Sequence, residues 1–254
     1  MKNAMKTPRR LVGIDGSGPS DAALRWAARR SGEDGRPLVL AHVSPSDATE
    51  STVLDNAAAL VHEEHPGVRH TAMRLSGQVW QGLTHAAGPQ DTVIIGTHKT
   101  GLLRGRTAGA LSIQVAIAAR SAVAIIPDLD LNFRRGVVVG VGSPRTAAAV
   151  AAGAYREVRH HTTPVTLVHG GCAERCAEPL DAAEQWLSDR DPSLRVRRRA
   201  LSTPAANALL DAALDKELLV LGRGVRSASG APIGIVTHSV LMNATSPVLL
   251  LAPV

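Results

Sequence analysis

A chain that carries one residue pattern twice must fold as a repeated unit, and this sequence repeats itself over nearly its whole length. The segment LVGIDGSGPSDAALRWAARR…RPLVLAHVSP, with Leu11 over Val138, matches VVVGVGSPRTAAAVAAGAYR…TPVTLVHGG. Gly13 falls over Gly140 and His42 over His169, both 127 residues apart, so this part aligns without a gap. The later parts match as well, TVIIGTHKTG…GALSIQVAIAARSAVAIIP against LLVLGRGVRS…GIVTHSVLMNATSPVLLLAP. Gly96 pairs with Gly222 and Gly109 with Gly234 at offsets of 126 and 125, which implies short deletions in the loops of the second copy. The joint is DLDLNFRR, residues 128–135, and the expected domains are residues 9–128 and 135–254.

Within each copy, short aliphatic runs alternate with stretches of helical period, the pattern of a parallel sheet covered by helices on both faces. In the first copy the runs predict strands near 10–15, 37–43, 68–74, 91–95 and 122–127. Helices are predicted at about 19–31, 49–65, 77–87 and 110–119, with Ser20 or Asp21, Asp47 and Ser76 available as N-terminal caps. The fold class is therefore α/β, two tandem doubly wound five-stranded parallel-sheet domains. The last strands, 122–127 and 247–252, are too apolar to be left as open edges and are expected to meet across a pseudo-two-fold, an intramolecular pseudo-dimer.

Several function classes are disfavoured by composition. The net charge of +6 comes from arginines scattered among carboxylates, and the densest run, RVRRR at Arg195 to Arg199, reads as a solvated strand edge. With five aromatic residues in the chain, stacking platforms for unpaired bases are scarce, so nucleic acid is not the expected partner. Cys172 and Cys176 lie four apart, unlike a C-x-x-C redox pair, and no further cysteine completes a zinc site. HEEH at His62 to His65 lacks the i, i+4 histidines of a zinc protease and reads as a helix surface. No apolar run reaches the roughly 18 residues of a membrane span, and MKNAMKTPRR has no apolar stretch of signal type; a cytoplasmic protein is expected.

The repeated layout resembles the universal stress protein family in its tandem form, on LVGIDGSGPSDAALRWA, on LVLAHV and on the segment DTVIIGTHKTGLLRGRTAGALSIQV at 91–115. In that family, nucleotide-binding members have an Asp after the first strand. After the fourth they have Gly, two residues, Gly, nine residues, then Gly followed by Ser or Thr. The resemblance implies a doubly wound fold and an adenine nucleotide, ATP or AMP, with or without magnesium. Residue by residue, Asp15 stands for the acid, Gly96 for the first glycine, Gly109 for the last and Ser112 for a further hydroxyl. Lys99 replaces the middle glycine and Ala110 the Ser or Thr.

The chemistry of those departures cuts both ways. A side chain at Lys99 obstructs close approach of backbone to phosphate, yet its ammonium, with Arg104 and Arg106, is a phosphate partner. Loss of the hydroxyl at Ala110 removes a hydrogen bond worth roughly 0.5–1.5 kcal/mol. A start of helix at Ala110 would itself favour an anion. The second copy is further away: Gly142 replaces the acid, Val225 the middle glycine, and Ile235 follows Gly234, while Gly222, Gly234 and Thr237 keep the likeness.

Blander readings stand beside these. Asp15 with Gly16 can simply open a turn and favour the following helix. His42 and His169 end equivalent strands and read as histidines bonded to backbone rather than as catalytic bases. GSG at Gly16 to Gly18 has Asp21 where a dinucleotide fingerprint needs glycine, and a Walker loop would need glycine in place of His98. Two functions stay open: a stress protein that senses or stores adenine nucleotide in its first copy, and an interaction module with vestigial crevices that recruits an unknown protein partner. No general base or magnesium carboxylate pair is evident beyond Asp15, so at most slow ATP hydrolysis is expected. An enzyme of the G-x-S-x-G type is not supported in either copy. The sequence leaves a homodimer open.

Overall fold

A computed structural model describes residues 7–44, 51–97, 110–160, 163–171, 177–224 and 233–253. The first half runs β1 (Arg10–Gly13), α1 (Gly18–Asp34), β2 (Leu38–Ser44), α2 (Ser51–Glu64), β3 (His70–Ser76), α3 (Val79–Ala86), β4 (Thr92–Thr97), α4 (Ala110–Ala118) and β5 (Ala122–Pro127). The second half repeats the order with β6 (Val137–Gly140), α5 (Pro144–Val158), β7 (Val165–Gly170), α6 (Ala177–Arg190) and β8 (Val196–Leu201). It continues with α7 (Ala205–Ala213), β9 (Leu218–Leu221), α8 (Ile235–Asn243) and β10 (Val248–Leu250).

All ten strands form one sheet in the order β3-β2-β1-β4-β5-β10-β9-β6-β7-β8. Each half is a parallel set of order 3-2-1-4-5, and the halves join where β10 pairs antiparallel with β5, Val248 opposite Ile125 and Leu250 opposite Val123. The expected meeting of the two last strands is thus observed, and it removes both as edges. The true edges are β3 and β8. Strand β8 carries Arg197, Arg198 and Arg199, all exposed, which explains the RVRRR run: charge on an edge discourages pairing with another chain.

Because successive side chains of a strand point to opposite faces, the inner strands of the sheet feed two cores. Val12, Leu40, Ile94 and Ala124 pack with α1 and α2, and Val139, Leu167, Val220 and Leu249 continue that layer against α5 and α6. Leu11, Val39, Val93 and Val123 face the other side with α3 and α4, continued by Val138, Leu219 and Leu250 with α7 and α8. Neither core stops at the joint between halves.

The termini of α1 show a difference from the expected caps. Ser17, rather than Ser20 or Asp21, caps the helix, with Ser20 N donating to Ser17 Oγ at 3.4 Å. Pro19 sits in the first turn, where its missing N–H costs nothing, so the helix starts before residue 19. It ends at Gly35, whose φ of 73° closes a left-handed cap. Helix α3 likewise starts at Val79 after Gln78, because Gly77 at φ 94° breaks the chain between Ser76 and the helix. Asp47 lies outside the described residues.

Candidate functional site

In each half the order reverses between strands one and four, the position beyond whose carboxyl ends open α/β sheets place their ligand crevice. In the first half these are β1 and β4. The chain leaves β1 through Ile14, whose N–H donates to Ala41 O, and turns at Asp15 and Gly16, the latter at φ 77°. Asp15 is exposed. Its Oδ1 accepts from the Ser17 hydroxyl at 2.6 Å and the Ser17 amide at 3.0 Å. Partial burial raises the Asp15 carboxyl, but the bonds from Ser17 and a contribution from Ser20 outweigh it, so the group is held below its ordinary pKa and is a carboxylate at neutral pH. The turn-forming reading of Asp15 is thus observed, with its carboxylate exposed just beyond the end of β1.

Gly96, near the end of β4, has a structural reason to be glycine. A Cβ there would stand 2.0 Å from Pro19 O and 2.8 Å from Ser20 N, so the start of α1 lies directly on β4. This contact puts the Asp15 turn beside the exit of β4. Ser112 is buried in the first turn of α4, and Ala110 begins that helix. Lys99, Arg104, Arg106 and Gly109 lie outside the described residues, as do Val225, Cys172 and Cys176. The GSG segment does not offer a phosphate cradle. A Cβ on Gly18 would be 3.1 Å from Asp128 Oδ2, so with Asp15 two carboxylates already crowd the start of α1.

The histidines that end β2 and lie in β7 do equivalent work. His42 Nδ1 lies 2.7 Å from Ile14 O, and His169 Nδ1 lies 2.6 Å from Val141 O. A carbonyl can only accept, so each ring carries its proton on Nδ1 and latches the exit of the first strand in its half. His62, Glu63 and Glu64 are exposed at the end of α2. Among the described residues no group of three or more His, Cys, Asp or Glu side chains could hold a metal ion.

The second crevice is built differently. Gly142, at the Asp15 position, has nothing within 4 Å of where a Cβ would be. Thr237 is buried, and its hydroxyl donates to Gly222 O at 3.1 Å. Ile235, the counterpart of Ala110, is 84% exposed. A residue that sequence reasoning missed dominates the exit of β9. Arg223 is buried and donates through Nε to Leu251 O at 3.1 Å, through one terminal nitrogen to Ala116 O, and through the other to Ser121 O at 2.8 Å. It ties the second half to the C-terminal end of α4 in the first. The signal available was a charged residue set between Gly222 and Gly224 directly after a buried strand.

Two halves of order 3-2-1-4-5, fused through their fifth strands and each reversing its order between strands one and four, define a tandem doubly wound α/β protein. A family model described as the universal stress protein family matches residues 8–127. A universal stress protein of Mycolicibacterium smegmatis is 28% identical, covering 96% of both chains, and one of Mycobacterium tuberculosis is 26% identical, covering 94% of both. The crystal structure of a universal stress protein from Archaeoglobus fulgidus superposes with a TM-score of 0.75 at 16% identity, over 97% of this chain and 98% of that one, a likeness of fold. The first half of the chain belongs to the universal stress protein family, and the second half repeats its strand order. No described helix is long and apolar enough to cross a membrane.

Proposed function

We propose that this protein is a cytoplasmic stress-response protein that binds an adenine nucleotide, ATP or AMP, in its first half, with residues 9–128 and 135–254 as its two domains. The observation that carries the reading is Asp15, an exposed carboxylate pinned by Ser17 at the mouth of the crevice where the strand order reverses. A fixed carboxylate there suits the hydroxyls of a nucleoside, and the start of α4 at Ala110 suits phosphate. Lys99 would add charge to the phosphate end. Magnesium, if it accompanies ATP, would be held mainly by the phosphates and water.

The second half supports a different use. Gly142 supplies no carboxylate, Ile235 presents an apolar side chain where phosphate would need backbone, and Thr237 is engaged with Gly222 O. The alternative is a non-nucleotide-binding interaction module in which both crevices are vestigial and the surface recruits a protein partner. Calorimetric titration of the full chain with ATP and with AMP tests the assignment. One site per chain is expected. A stoichiometry of two would reject the placement, and no heat together with an unchanged melting temperature in millimolar ATP would reject nucleotide binding.

A further inference from the structure

Arg30 of α1 and Glu157 of α5 are 127 residues apart, the offset that relates Gly13 to Gly140 and His42 to His169, so they occupy the same position in the two copies. They also touch. Arg30 donates to Glu157 Oε2 at 3.1 Å, with side chains 4% and 8% exposed. A residue that contacts its own counterpart lies on the axis relating the copies, here the axis that also relates β5 to β10. A face meeting an identical copy of itself would put arginine against arginine or glutamate against glutamate at this buried point.

The surroundings are unequal in the same sense. The Arg30 guanidinium lies over the Trp26 ring, 4.6 Å from its centroid, whereas the counterpart of Trp26 is Gly153, where a Cβ would meet Leu251 at 2.4 Å. Arg36 reaches Glu157 Oε1 at 3.9 Å and Asp34 Oδ2 at 3.1 Å, and its counterpart is Thr163. Cations thus gather on the first half and an anion faces them from the second. Burying two like charges together is far costlier than burying a matched pair.

We propose that the Arg30–Glu157 pair is a charge lock on the pseudo-two-fold that makes the α1 face of the first half specific for the second half and bars it from pairing with a second copy of itself. The competing arrangement is a two-chain dimer in which first half meets first half and second meets second. The lock penalises it at both axes, once with two arginines and once with two glutamates. The partner of this face is a non-identical half bearing an acid at position 157.

Urea denaturation of the full chain tests the charge complementarity through Arg30→Glu, Glu157→Arg and the exchanged double variant. Each single change should lower the midpoint, and the double should recover at least half of the summed loss. Simple additivity would overturn the proposal. If a charge-reversed single variant does not fold, Arg30→Met, Glu157→Met and their double are read the same way, the double melting above the less stable single. Selectivity is read by light scattering after refolding at high concentration. The Arg30→Met/Glu157→Met chain should show a dimer fraction at least several-fold above the parent's, and an unchanged fraction would overturn the selective role.

Discussion

A Cβ at residue 96 would stand 2.0 Å from the carbonyl oxygen of Pro19, which leaves Gly96 no room for any side chain. Its counterpart Gly222 would meet Val150 Cγ2 at 3.5 Å, an ordinary contact. Equivalent glycines of one family motif are therefore under different constraints. Gly96→Ala must push α1 off β4 and is expected to cost about 3 kcal/mol or more, while Gly222→Ala should cost less than about 1 kcal/mol. Urea unfolding of the two variants compares them, and equal losses would contradict the packing.

Arg223 satisfies the carbonyls of Leu251, Ala116 and Ser121 from a buried position. Burial disfavours its charged form and lowers its pKa. Truncation to Ala strands three acceptors and is expected to cost about 3 kcal/mol, with Arg223→Lys restoring less than half because one ammonium cannot span all three. Loss of stability in equilibrium unfolding is the readout. A neutral Arg223→Ala would show that water replaces the guanidinium.

Acid should destabilise the protein through Asp34 and Asp91. Burial raises the carboxyl of Asp34, but hydrogen bonds and charge from Arg10, with Arg36 behind them, outweigh it and its pKa is lowered. Asp91 behaves alike, burial being outweighed by Arg9 and the Gly88 amide. A folded pKa below the unfolded one gives stabilisation that is complete above the ordinary value of 3.8 and is lost as pH falls through it toward the folded value. The urea midpoint should drop across that window. Asp34→Asn should be less stable than the parent at pH 7, and the gap should narrow on acidification.

For the proposed nucleotide, Asp15→Ala should weaken ATP and AMP alike, because it removes a contact at the nucleoside end. Lys99→Ala removes a phosphate charge and should penalise ATP more than AMP. Lys99→Gly with Ala110→Ser should at least preserve affinity if backbone dominates the cradle. Calorimetry separates these outcomes, and equal losses for both ligands in Lys99→Ala would place Lys99 away from the phosphates.

The sequence by itself determined the repeat, the alternation of strand and helix, the five-strand halves and the apolar last strands that had to be covered. Those are local or periodic properties: a side-chain period of two, a period of 3.6, and a burial demand that a segment states on its own. It also read His42 and His169 as backbone-bonded and Arg195 to Arg199 as an edge. Tertiary structure alone decided what each glycine is for, since the Pro19 carbonyl approaches Gly96 from 77 residues away while Gly222 meets only a valine. It alone decided that Arg223 grips α4 across the joint and that Arg30 meets Glu157 on the axis. Such pairings depend on how two helices and two halves come to lie against one another, and no window of sequence contains both partners.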